Sequence, residues 1–145
     1  MAVALVLLFS RSTEIGMLEA RLLPESVWFG WAGLCLTIAG CGFAVWARVL
    51  LGANWSATVT LKQNHELIRR GPYAIVRHPV YTGFLLGVFG TALALGQVRG
   101  LVALALAFAG WFTKARTEEQ FLAAQFPGAY AAYRRQVRQL IPFIF

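Results

Sequence analysis

The sequence contains no aspartate, and charge of either sign is scarce. Six glutamates and thirteen lysines and arginines make up 13% of 145 residues, where a soluble domain carries about 25%. Without aspartate there is no Ser-His-Asp set. Two histidines, two cysteines and no HExxH leave no recognisable metal-ligand set. Cys35 and Cys41 lie six apart in one apolar run, too far along a helix to bridge, and read as two small hydrophobes. No glycine-rich loop follows a strand pattern, so neither a phosphate loop nor a Rossmann dinucleotide site is supported.

What the chain has instead is apolar residues, 59% of the total. Val27 to Ala47 runs 21 residues without a charge, with Trp28, Trp31 and Trp46 near its ends. As a helix it spans roughly 30 Å, the thickness of a hydrocarbon core, with its tryptophans at the interfaces. Pro79 to Val98 is uncharged for another 20 residues, and Leu101 to Thr113 continues apolar after Arg99 and Gly100. These runs predict an all-α, polytopic membrane helical bundle in a single domain. Its membrane helices are expected over 26–48, 79–98 and 100–116, the last two forming a hairpin that turns at Gln97-Val98-Arg99-Gly100. Residues 1–25 are expected to form a truncated or interfacial helix and a loop. A cytoplasmic loop covers 49–78, and a C-terminal helix covers 117–145. That tail reads as amphipathic, broken at Pro127-Gly128, with Tyr130 and Tyr133 on its apolar side and Arg134 on its solvated side. Gly83, Gly87 and Thr91 form a small-residue stripe suited to close helix packing.

The net charge of +7 could suggest nucleic acid, but the basic residues are not interleaved with aromatics on a polar surface. They sit between apolar runs, which points to membrane lipids and excludes a nucleic-acid partner. Five fall between Arg48 and His78, and five more between Lys114 and the C-terminus. The positive-inside rule places both segments on the cytoplasmic side.

Chemistry gathers in two clusters. The first runs from His65 to Gly83. Gly71-Pro72 marks a turn, and Pro79 suits the first turn of a helix because its missing N–H has no partner there. Arg77 and His78 then stand at a helix mouth, where first-turn amides and the helix dipole favour an anion. Tyr73, His78 and Tyr81 add flat faces, so the spot suits a ligand both aromatic and acidic, such as a nucleoside bearing a carboxylate. The second cluster is Lys114-Ala115-Arg116-Thr117-Glu118-Glu119-Gln120. Acidic groups beside hydrocarbon are costly and tend to be functional, although Thr117 and Gln120 also fit a capping box. A carboxylate here could bind ribose hydroxyls or an amino group, or pair with Arg77.

Gly71-Pro72-Tyr73, Arg77-His78-Pro79-Val80-Tyr81-Thr82-Gly83, Glu118-Glu119 and Phe126-Pro127-Gly128-Ala129-Tyr130-Ala131-Ala132-Tyr133 occur in this order. Together they resemble the isoprenylcysteine carboxyl methyltransferase family, and in part the phospholipid methyltransferases. Asn54-Trp55-Ser56 and Ile141-Pro142 resemble its bacterial members. The resemblance implies a membrane-embedded, non-Rossmann enzyme of the bacterial inner membrane that uses S-adenosyl-L-methionine and faces the cytoplasm. It implies that His65, Leu67, Ile68, Tyr73, His78 and Tyr81 line the cofactor, with Glu118 or Glu119 holding it from the other side. Arg77 joins this set by its place at the helix mouth. A basic residue just before the acidic pair, Lys114 or Arg116, is implied to serve catalysis near the acceptor. No metal is implied.

The expected reaction is carboxyl O-methylation of an isoprenylcysteine-type or related acceptor, either a lipophilic small molecule or a lipid-modified one. Phospholipid amine N-methylation is the enzyme alternative. An NADPH-dependent isoprenoid or steroid reductase shares the Arg-His-Pro-x-Tyr-x-Gly stretch, and a non-catalytic membrane scaffold is the non-enzyme alternative.

Overall fold

The structure, a computed structural model, describes residues 2–9, 16–52 and 67–142. Among these residues it is helical with no strand, only two isolated bridges. The helices are α1 (Ala2–Phe9), α2 (Gly16–Glu19), α3 (Val27–Leu51), α4 (Pro79–Leu95), α5 (Val98–Gln125) and α6 (Ala129–Gln136), with a 3-10 turn over Gly71–Ala74. Val27–Leu51 and Val98–Gln125 are long and apolar enough to cross a membrane, and Pro79–Leu95 is a shorter apolar helix. The expected polytopic, all-α membrane fold is what the chain adopts. The helices divide between two compact units, Met1–Gly42 with Gly83–Trp111, and Phe43–Thr82 with Phe112–Phe145.

In the first unit, α3 turns Gly33, Thr37 and Gly40 toward α4. A Cβ on Gly40 would stand 2.5 Å from the Gly83 carbonyl oxygen and 2.7 Å from the Gly87 nitrogen. One on Gly90 would stand 2.6 Å from Thr37 Oγ1. Thr37 Oγ1 donates within its own helix to Gly33 O, at 2.9 Å, and sits 3.2 Å from Gly87 O across the interface. Backbones meet this closely only where side chains are nearly absent, and dispersion then holds the pair. The expected stripe of Gly83, Gly87 and Thr91 is corrected in its last member. Gly90 makes the close approach, whereas Thr91 Oγ1 bonds back to Gly87 O at 2.9 Å. A 3.6-residue period lets the contact step by four and then by three. On the other side of α3, Trp28, Trp31 and Ile38 are well exposed, as residues facing lipid would be.

The hairpin turn is tighter than expected. Helix α4 stops at Leu95, Gly96 takes φ +62°, and α5 starts at Val98. The positive φ is the left-handed cap that glycine adopts without a Cβ penalty. The Gly96 carbonyl accepts from Leu22 N and Leu23 N, while Val98 N donates to Ala20 O.

In the second unit the expected boundary at 116/117 is absent. Helix α5 runs unbroken through the polar cluster to Gln125. Thr117 Oγ1 donates to Thr113 O at 3.2 Å as a mid-helix residue does, so there is no helix start for a capping box to cap. The expected C-terminal helix reduces to α6, beginning after Gly128 at φ +78°. Past α6 the chain is extended and lies parallel to the segment before α4. Val76 bridges Arg138, Arg77 N donates to Arg138 O at 2.8 Å, and His78 N donates to Gln139 O at 3.1 Å. Thr82 Oγ1 donates to Leu140 O at 2.6 Å. Val76, Leu140, Tyr130, Pro72 and Pro79 are almost fully buried.

Candidate active site

Along α5, Ala103, Ala107, Trp111, Ala115 and Glu119 are all buried, each four residues after the last. The buried line of the helix therefore carries a carboxylate into the second unit's interior. Burying an ion is costly unless it is paired and hydrogen-bonded, and Glu119 is both. Arg77 Nη2 lies 2.7 Å and Arg77 Nε 2.8 Å from Glu119 Oε1, and both side chains are over nine-tenths buried. Arg77 Nη1 donates to the carbonyls of Val137 and Arg134. Sequence reading offered Arg77 either a ligand's anion or a carboxylate of the acidic pair; the structure gives it Glu119 and two carbonyls of the tail.

One helix position earlier, Glu118 points to a different side. It accepts a short hydrogen bond from Tyr81 OH, and its side chain keeps 26% exposure. His78 stands between the two carboxylates, Nδ1 3.5 Å from Glu118 Oε2 and Nε2 3.3 Å from Glu119 Oε1. Burial alone pushes the imidazole pKa down, but hydrogen bonds and charge from both glutamates outweigh it and hold it above the ordinary histidine value. The His78 and Tyr81 rings stack, centroids 5.6 Å apart at 9°. Lys114 Nζ lies 5.7 Å from the Tyr81 ring centre.

Tyr73 sits in the 3-10 turn with its hydroxyl 3.5 Å from Ala47 O. Its own carbonyl accepts from Tyr133 OH at 2.6 Å. Burial pushes the Tyr73 phenol up to about 12, so it stays neutral. Gly71 makes this turn possible: its φ is +60°, and a Cβ there would lie 2.9 Å from Leu50 Cδ2.

The structure thus brings Tyr73, Arg77, His78, Tyr81, Lys114, Glu118 and Glu119 into one unit of the fold. Leu67 and Ile68 are half-buried in the segment before the 3-10 turn. His65 lies outside the described residues, as do Asn54-Trp55-Ser56. Arg116 separates from Lys114: its guanidinium lies over the Phe112 ring at 4.8 Å and lines a cleft on the Glu119 side. Arg134 keeps its expected exposure, yet its Nε is 3.8 Å from Glu119 Oε2. Sequence reading missed the fastening roles of Tyr133, Thr82 and Leu140. The tyrosine spacing in the tail was the available signal, and it was read only as an apolar face.

The phospholipid methyltransferase family model matches residues 28–129. A rice (Oryza sativa subsp. indica) protein named probable protein-S-isoprenylcysteine O-methyltransferase is 34% identical over 87% of this chain and 69% of its own length. The cobalt-zinc-cadmium resistance protein CzcN of Cupriavidus metallidurans is also 34% identical, over 87% of this chain and 58% of its own. The solved structure of the eukaryotic intramembrane Ras methyltransferase, isoprenylcysteine carboxyl methyltransferase, superposes with a TM-score of 0.76 at 27% identity. That match covers 99% of this chain and half of the solved one. With its polytopic helices and the motif residues gathered in one unit, the chain belongs to the phospholipid methyltransferase family, as an integral membrane methyltransferase akin to the isoprenylcysteine O-methyltransferases.

Proposed function

We propose that this protein transfers the methyl group of S-adenosylmethionine to a lipid-like carboxylate, of the isoprenylcysteine type or related to it, at the cytoplasmic face of a bacterial inner membrane. The observation that carries this reading is the convergence of His78, just before α4, with Tyr81 of α4 and Glu118 of α5. A sulfonium compound with nucleoside and amino-acid halves needs a negative neighbour, flat faces and hydrogen-bond acceptors. Glu118 offers a partly exposed carboxylate, and His78 and Tyr81 offer stacked rings, so the residues present fit. Leu67, Ile68 and Tyr73 complete the set, and His65 joins it through family resemblance alone. When bound, the cofactor supplies an electrophilic methyl on positively charged sulfur.

The chain's own contribution is binding and alignment. A carboxylate favours binding of a cation but does not by itself speed a step that disperses the charge. The rate gain comes from holding acceptor and methyl in line with water excluded. Lys114 lies four residues before Glu118 and beside Tyr81, and we assign it to the acceptor's carboxylate. Arg116 points elsewhere, so the acceptor-positioning role goes to Lys114. Arg77 and Glu119 are positioning residues, holding His78 and the tail rather than meeting the ligand.

Amine N-methylation is the second reading, favoured by the name of the family model. It needs a group to take the amine's proton. Both glutamates hold the His78 pKa above the ordinary histidine value, which favours its proton-bearing form, and an ionised carboxylate acceptor needs no base, which supports the carboxyl reading. Titration of the detergent-purified protein should show binding of S-adenosylhomocysteine and none of NADPH. Labelled methyl should then pass to a prenylated cysteine acid and not to phosphatidylethanolamine. Transfer to the amine alone would sink the carboxyl assignment, and NADPH binding in place of S-adenosylhomocysteine would sink the methyltransferase reading.

A further inference from the structure

On the Glu119 side of α5 lies a cleft of about 570 Å³, lined by Arg77, Arg116, Arg134, Arg138, Glu119 and Phe112 among others. The arrangement holds more positive charge than the protein uses. Glu119 is already committed to Arg77. Arg134 reaches Glu119 only at 3.8 Å, and Arg116 faces the Phe112 ring. Arg138 has no carboxylate partner among the described residues, and Arg116, Arg134 and Arg138 are all exposed. Three guanidinium groups thus border one concavity whose single carboxylate is neutralised. Planar guanidinium forks match the oxygens of a phosphate bidentately.

Beside the charged groups the lining also carries Phe112 and Ala123. Phe112 lies one residue before the end of the uncharged stretch Leu101–Thr113 of α5, where Leu101 and Leu106 are exposed, and Arg116 follows one helical turn later. A ligand with an anionic head and an apolar body matches that sequence of surfaces, while a soluble anion would meet the guanidinium groups alone. We propose that this cleft binds the phosphate headgroup of an anionic phospholipid, with the acyl chain running along the apolar part of α5. The site is distinct from the Glu118 face assigned to the methyl donor, and it stands whether or not the acceptor is a carboxylate.

Native mass spectrometry of the full chain in neutral detergent tests it, with phosphatidylglycerol or phosphatidylcholine added and glycerol phosphate as the soluble arm. The parent should retain one phosphatidylglycerol in preference to phosphatidylcholine, and excess glycerol phosphate should not displace it. The triple variant Arg116→Gln, Arg134→Gln, Arg138→Gln should bind phosphatidylglycerol roughly a hundredfold more weakly. The pair Arg70→Gln, Arg135→Gln removes charge elsewhere and should change binding less than about twofold. If the triple variant fails to fold, Arg138→Gln alone, which breaks no ion pair among the described residues, should still lose roughly fivefold. Parent-like lipid retention by these variants would overturn the site. An equal loss in the Arg70/Arg135 pair would reduce it to general charge attraction, and displacement by glycerol phosphate would reassign it to a soluble anion.

Discussion

Glu118 and Glu119 are sequence neighbours with different surroundings, because adjacent residues on a helix point about 100° apart. Glu119 is the buried partner of Arg77, and removing one member of such a pair typically costs about 3–5 kcal/mol. Glu119→Gln should therefore lower stability sharply in a detergent unfolding assay. Glu118→Gln should leave stability near the parent's and weaken S-adenosylhomocysteine binding about ten- to a hundredfold, roughly 1.5–3 kcal/mol of charge-assisted hydrogen bonding. Equal destabilisation by both would contradict the division of labour. His78 adds a pH dependence. Its folded pKa is raised, so the stabilisation it provides is fully present below the unfolded imidazole value of about 6.5 and is lost as pH rises through the folded value. The thermal midpoint should fall as pH is raised from 6.5, and His78→Gln should flatten that slope; a midpoint that climbs instead would show the sign to be wrong. The acidic pair was legible in the sequence because carboxylates beside hydrocarbon stand out. Which carboxylate turns inward was written in Ala103, Ala107, Trp111 and Ala115, a four-residue line of mostly alanines that composition alone does not single out.

The starts of α3, α4 and α5 were readable to within about two residues because long uncharged runs have few alternatives, whereas the end of α5 was not. The helix faces were less readable. The packing partners of Gly83 and Gly87, Gly33 and Gly40 on α3, went unremarked because a glycine in an apolar run resembles any other until its neighbour is known. Two substitutions on α3 separate the cases. Gly40→Val would drive its side chain into the backbone of Gly83 and Gly87 and should cost about 3 kcal/mol or more. Gly42, with nothing within 4 Å of a Cβ, should accept alanine at no cost, or gain up to about 1 kcal/mol from helix propensity. Melting of both variants in one detergent reads the difference, and a Gly40→Val protein as stable as the parent would refute the close packing. The unbroken course of α5 was also hard to foresee, since Thr117 and Gln120 mimic a helix start and only the helix's continuity removes the need for one.

At the scale of the whole chain the clearest signal is where charge falls. Ten of thirteen basic residues occur in 48–78 and from 114 onward, which supports the orientation proposed for the site. Cys35 and Cys41 are exposed and would be replaced by alanine before labelling. A single cysteine at Gln136 should then react with a membrane-impermeant thiol reagent only from the cytoplasmic side, and one at Gln97 only from the opposite side. The reverse pattern would invert the topology and remove the cytosolic route for the methyl donor. Class and family were legible because a membrane chain with four ordered motifs is narrowly constrained. The acceptor was not, because lipid-like carboxylates and amines ask the same hydrophobicity of the helices around them.

The pairing of residues 76–78 with 138–139, and of Thr82 with Leu140, has a consequence for how the protein is made. Chains leave the ribosome from the N-terminus onward, at about 5–20 residues per second. The Arg77-His78 segment therefore emerges well before the stretch that fastens it. Helix insertion can therefore be complete before the site proposed for the methyl donor is fastened, which requires residues 137–140 to have emerged as well. A chain stopped before Val137 should insert α3, α4 and α5 into membranes in normal yield and retain no S-adenosylhomocysteine. Supplying the missing segment as a separate peptide should restore binding in proportion to its concentration.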